Sequence, residues 1–107
     1  MLRNGSYSAW FRTPQGEETG IVVLNDGKMT GGDTVISYAG SYVEEGDTFT
    51  ASITTKRHTE GQPSVFGIDE IDFTLTGKST RTTASCSGTA KQAPGLTFEA
   101  TLIRMAD

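Results

Sequence analysis

The sequence predicts an all-β domain of about eight antiparallel strands that neighbour one another in space as they do along the chain. Three observations lead there. Apolar and polar residues alternate over most of the 107 residues, the two-residue period of strands with one buried face. No window repeats apolar residues at i, i+3, i+4 and i+7 through more than a turn, which argues against a long helix. The alternating segments are also joined by hairpin-length turns. These are clearest in GIVVLNDGKMTGGDTVISYAGSYVEEGDTFTASI, Gly20 to Ile53, where Asn25-Asp26-Gly27, Gly31-Gly32-Asp33 and Glu44-Glu45-Gly46-Asp47 each reverse the chain. Such spacing suits either a sandwich or an up-and-down barrel. Sequential pairing favours the barrel, since sandwiches usually need Greek-key crossings, and closure removes the edges on which open sheets aggregate.

The first strand is expected from Gly5 to Thr13, with Tyr7, Ala9 and Phe11 on one face and Ser8, Trp10 and Arg12 on the other. Pro14-Gln15-Gly16 turns the chain into a second strand, Glu17 to Leu24. Its unbroken Ile21-Val22-Val23-Leu24 implies burial on both faces, with a dimer contact as one way to cover the outer one. A short third strand spans Lys28 to Thr30, and a fourth spans Thr34 to Val43 with Ile36, Tyr38, Gly40 and Tyr42 in phase. Phe49, Ala51 and Ile53 mark the fifth. From His58 to Gly67 the period breaks at Gly61 and Pro63, and Pro63-Ser64-Val65-Phe66 is expected to form one helical turn capping an open end of the sheet. Ile71, Phe73 and Leu75 set the sixth strand. Gly77-Lys78-Ser79 turns into the seventh, with Thr82, Ala84, Cys86, Gly88 and Ala90 in phase. Ala93-Pro94-Gly95 turns into the eighth, with Leu96, Phe98, Ala100 and Leu102.

At this length and with 35% hydrophobic residues the chain supports a single domain, 1–107, around one core. A formal net charge of −4 argues against direct nucleic-acid binding, which depends on Lys and Arg neutralising phosphates. Lys56-Arg57-His58, the densest basic cluster, reads as a solvated strand end. No apolar run approaches the ~20 residues of a membrane helix. Met1-Leu2-Arg3-Asn4 leads into strand-like residues rather than a signal-peptide core, so no membrane association and a cytoplasmic location are expected. The single cysteine, Cys86, precludes an internal disulfide.

Catalytic motifs do not emerge. His58 is the one histidine and has no nucleophile and acid around it in the sequence, and GQPSVFG does not match a nucleophile elbow. Cys86, mid-strand between Ala84 and Gly88, reads as a small buried hydrophobe. There is no His/Cys cluster for zinc, and the Gly-rich DGKMTGGD has no helix after it to receive a phosphate, so neither metal nor cofactor is expected. Two features remain. The barrel interior would be lined by Tyr7, Tyr38, Phe49, Phe73 and Phe98 together with the small Ala51, Ala84 and Ala100. That set either fills the space or leaves a cavity for a small lipophilic ligand. The acidic turn places Glu44, Glu45 and Asp47 where an arginine-bearing protein partner could dock, although such a turn is solvated by default.

Asn4-Gly5-Ser6-Tyr7-Ser8, Gly20, Asp26-Gly27, Gly31-Gly32-Asp33, Tyr38, Gly40 and the acidic turn together resemble the GrlR-like family, named for a negative regulator of type III secretion genes. The similarity spans most of the chain and is sharpest at D-G-x-x-x-G-G-D. The resemblance implies a lipocalin-like up-and-down barrel with a hydrophobic interior, often dimeric, without an enzymatic role. It further implies a regulator that sequesters a transcriptional activator through a four-acid surface turn. That turn falls on Glu44, Glu45, Gly46 and Asp47, so three carboxylates match and Gly46 departs from the pattern.

Overall fold

In a computed structural model, which describes residues 1–14, 16–32, 36–57 and 70–105, eight strands run in chain order around a closed antiparallel barrel. They are β1 (Gly5–Thr13), β2 (Gly16–Asn25), β3 (Lys28–Gly32), β4 (Ile36–Glu45), β5 (Thr48–Arg57), β6 (Glu70–Ser79), β7 (Thr83–Ala90) and β8 (Ala93–Arg104). Each strand pairs with its successor. β8 closes the ring on β1, setting Ala9 opposite Leu102 and Phe11 opposite Ala100. The helical turn expected at Pro63-Ser64-Val65-Phe66 lies outside the described residues, among which every helix or strand is a strand.

The turns follow from their residues. Asn25 pairs with Lys28 across Asp26 and Gly27, whose φ values of 51° and 84° are those of a type I′ hairpin. Glu45 pairs with Thr48 across Gly46 and Asp47. Gly46 at φ 63° supplies the positive angle required at the first central position of a type II′ turn. The reversal is therefore two residues long, and Glu44 and Glu45 belong to β4 rather than to the turn, against the four-residue turn expected. β3 and β4 also differ from expectation, reaching Gly32 and Glu45, and Gly77-Lys78-Ser79 and Ala93-Pro94-Gly95, expected as turns, instead end β6 and begin β8, because ladder pairing continues wherever a neighbouring backbone offers donors and acceptors.

The period-2 pattern sorts every strand into a buried and a solvated face. Tyr7, Ala9, Phe11, Val22, Leu24, Met29, Tyr38, Phe49, Ala51, Ile53, Ile71, Phe73, Leu75, Phe98, Ala100 and Leu102 form one buried cluster inside the barrel. In β2 the expectation of two buried faces is corrected. Val22 and Leu24 are fully buried, whereas Ile21 and Val23 stand 50% and 42% exposed, because a strand in a closed barrel has one interior face and no other layer of this chain covers its outside among the described residues.

Large inward side chains sit opposite small ones: Tyr42 opposite Ala51, Phe11 opposite Ala100, Leu75 and Phe98 opposite Gly88, and Phe73 opposite Ala90. At Gly88 the backbone of β6 comes so near that a Cβ would collide with the Thr74 carbonyl. The small residues thus make room for their neighbours and for close strand approach in a narrow barrel.

Candidate functional site

Two regions were singled out by the sequence: the lumen and the acidic hairpin. All eight residues read as lumen-lining, Tyr7, Tyr38, Phe49, Ala51, Phe73, Ala84, Phe98 and Ala100, are buried. The rings cross the interior. Phe11 of β1 meets Tyr38 of β4 edge-on at 5.2 Å between centroids and Phe73 of β6 at 6.3 Å, and Phe73 meets Phe98 at 4.7 Å. β1 neither neighbours β4 nor β6, so these contacts span the barrel, and at this level the interior is occupied by aromatic rings. Nearer the β4–β5 turn, Tyr42 stacks on Phe49 at 5.7 Å.

Cys86 faces inward between Gly77 and Ala100, and burial pushes its thiol up to about 12. A thiol held protonated in this way is a poor nucleophile. Burial also raises the Tyr7 and Tyr42 phenols above their ordinary value. Arg104 acts the other way on Tyr7, and hydrogen bonding at the Gly27 backbone acts the other way on Tyr42.

The three carboxylates of the acidic hairpin divide by strand parity. Tyr42 points inward, so Glu44 does too, and its carboxylate closes one end of the barrel. It accepts hydrogen bonds from the Leu2 amide at 3.1 and 3.0 Å and from the Ser79 hydroxyl at 2.6 Å. Leu2 is buried there, and Arg3 is tied down on both sides, its amide donating to the Arg81 carbonyl and its carbonyl accepting from Tyr7 Oη at 2.6 Å. Glu44 is therefore bound into the barrel end. The signal that would have separated it from its neighbours was present in the sequence, since it lies two residues after the inward Tyr42.

Glu45 and Asp47 remain exposed at the hairpin tip. Lys78 Nζ lies 3.5 Å from Asp47 Oδ1 with both side chains more than 70% exposed, a pairing too solvated to neutralise Asp47 fully. Beside Glu45, the outward Val43 is 62% exposed, and Val43, Glu45, Thr48 and Thr50 line a shallow cleft of about 320 Å³. This pairing of an exposed apolar side chain with carboxylates was missed in the sequence, where Val43 reads only as a strand residue.

At the other end of the barrel Asp72 accepts hydrogen bonds from Thr54 Oγ1 at 2.6 Å and Gln92 Nε2 at 3.1 Å, which hold its carboxyl below the ordinary value. That arrangement ties β5, β6 and the β7–β8 turn together. Among the described residues no three His, Cys, Asp or Glu side chains gather to hold a metal ion, and no helix is long and apolar enough to cross a membrane. His58 lies outside the described residues.

What the fold defines is a closed eight-stranded antiparallel barrel with rings across its interior and an acidic hairpin at one rim. No family model matches the chain, and no curated protein matches it.

Proposed function

We propose that this protein is a non-enzymatic regulatory barrel that binds a protein partner on the outside of its β4–β5 hairpin. The observation that carries the reading is the hairpin's outer surface, where Val43, 62% exposed, stands beside Glu45 and the cleft it lines, with Asp47 at the tip. An apolar contact flanked by carboxylates suits a partner surface with an arginine or lysine next to an apolar side chain, the carboxylates giving orientation and Val43 giving buried area. The GrlR-like resemblance makes that partner a transcriptional activator and the outcome repression, in the cytoplasm. Gly46 then serves the type II′ turn that presents Glu45 and Asp47, and Glu44 serves the barrel end.

Its test uses Glu45→Lys with Asp47→Lys, two exposed positions whose exchange spares the core. In cells expressing the chain, the wild type is expected to repress an activator-dependent reporter and to co-purify with that activator, and the double variant to do neither while keeping its circular dichroism spectrum. Equal repression and capture by the two proteins would remove the hairpin as the docking site. A carrier role for a small lipophilic ligand is the other reading of this scaffold. It draws on the apolar interior and is weakened by the rings that meet across it.

A further inference from the structure

Several outward hydroxyls are engaged within the chain, Thr54 by Asp72, Thr80 by Thr83 and Ser37 by the Lys56 carbonyl. Four on the outer wall of β6, β7 and β8 are not. The side chains of Thr76, Ser85, Ser87 and Thr101 make no hydrogen bond among the described residues, and all four line one cleft of about 270 Å³. The ladders set them in two rows. In the first, Thr76 is opposite Ser87, Ser87 opposite Glu99 and Glu99 opposite Arg12; in the second, Ser85 is opposite Thr101 and Thr101 opposite Trp10. Closure of β8 on β1 is what brings Arg12 and Trp10 to this wall. Gly77 and Cys86 lie between the rows, and a Cβ on Gly77 would collide with the Ser85 carbonyl, so β6 and β7 approach closely there.

The planar groups beside the hydroxyls hold one another in place. Arg12 Nη2 lies 3.5 Å from Glu99 Oε2, its guanidinium stands 4.8 Å from the centre of the Trp10 ring, and Trp10 Nε1 donates to Glu17 at 3.3 Å. Arg12 and Glu99 are nonetheless half exposed or more, so the guanidinium keeps N–H groups to donate and the carboxylate keeps lone pairs to accept. Such mutual support lowers the ordering cost that a ligand would otherwise meet.

We infer that this cleft binds one neutral sugar ring, either a free hexose or the end residue of a glycan. Charge, hydrogen bonding and size select that class. Arg12 and Glu99 are the charged residues of the lining and offset each other, which gives a phosphate or another ion no net attraction. Each of the four hydroxyls can both donate and accept, Arg12 donates and Glu99 accepts, a set that matches a ligand whose own polar groups are hydroxyls. A hydrocarbon ligand would leave all of them unsatisfied. The volume lies just below the roughly 300 Å³ at which small-molecule pockets begin, enough for a single ring. Trp10, 39% exposed at the border, offers aromatic surface to the apolar C–H side of that ring. The site is distinct from the β4–β5 hairpin and does not depend on a protein partner.

Titration of the full chain with the methyl pyranosides of glucose, galactose and mannose, from about 0.1 mM to about 50 mM, brackets the millimolar Kd of a small ligand in an open cleft. At least one should shift the amide resonances of Ser85, Ser87, Glu99 and Thr101 saturably and change the emission of Trp10, the sole tryptophan, readouts that need no variant to fold. Ser87→Ala with Thr101→Val should raise that Kd at least tenfold with unchanged circular dichroism, while Thr101→Ser, which keeps the hydroxyl, should bind as the wild type does. An oligosaccharide ending in the preferred sugar that binds more tightly than its methyl pyranoside identifies a glycan end as the ligand, and equal affinity identifies a free hexose, either result upholding the site. No saturable response to any of the three sugars, resonance changes centred elsewhere on the barrel, equal binding by the Ser87→Ala, Thr101→Val protein, or saturation by inorganic phosphate instead would overturn the assignment. Glu45→Lys with Asp47→Lys should leave the sugar titration unaltered, so loss of partner capture and loss of sugar binding are told apart.

Discussion

Glu44 illustrates how the role of a single carboxylate depends on the side of the strand it occupies. Facing outward it would be one more solvated acid beside Glu45; facing inward it satisfies the Leu2 amide and the Ser79 hydroxyl at the barrel end. Removing it leaves part-buried donors without their acceptor, a loss of about 1–3 kcal/mol. Glu44→Ala should therefore lower the urea midpoint measurably, and Glu45→Ala, which strips an exposed side chain, should leave it nearly unchanged. Equal midpoints for the two variants would show that the Leu2 latch contributes nothing to stability.

Among elements, the β4–β5 hairpin depends most on one backbone angle. Gly46 stands at φ 63°, where an L side chain is strained, and an added Cβ there would meet nothing within 4 Å, so conformation rather than crowding decides the effect of substitution. Gly46→Ala is expected to cost about 1–2 kcal/mol and to broaden the amide resonances of Glu45 and Asp47. A variant as stable as the wild type would mean that the turn can switch to another type without loss. The β2–β3 hairpin meets the same demand differently. Asp26 accepts φ 51° beside Gly27, and its turn is pinned by Asn4, whose side chain donates to Asp26 Oδ1 and accepts from the Asp26 amide, each at 3.0 Å. This reciprocal pair gives Asn4 a structural role of its own.

At the scale of the whole molecule, stability rests on one interior whose titratable groups are kept neutral. Cys86, Tyr7 and Tyr42 all have pKa values raised mainly by burial. Because the folded values lie above the unfolded ones, their contribution is complete below the unfolded thiol's 9.0 and is lost as pH rises, Cys86 continuing to about 12. The urea midpoint should thus fall between pH 8 and pH 11, the two conditions compared at equal ionic strength, and Cys86→Ala should make the decline shallower. A flat profile over that interval would contradict the burial of all three. Closure itself couples segments distant in sequence. β1 has β8 as one of its two neighbours, so the eighth strand completes the pairing of the first, a non-local contact of the kind that slows folding.

Alternation of apolar residues, the Asp26-Gly27 and Gly46 turns and the absence of helical periodicity determined the strand count, the meander order and the identity of the inward residues, because these are properties of short stretches governed by backbone geometry and a two-residue period. Even the inward aim of Glu44 was legible by counting from Tyr42. The tertiary structure alone decided what happens where distant strands meet. It crossed the interior with Phe11, Tyr38, Phe73 and Phe98, and it left Ile21 and Val23 on an outer wall beside Ile103 and Met105. Those outcomes depend on the β1–β8 register and on the diameter of a closed ring, and both are set by the sum of all eight pairings rather than by any local run of residues.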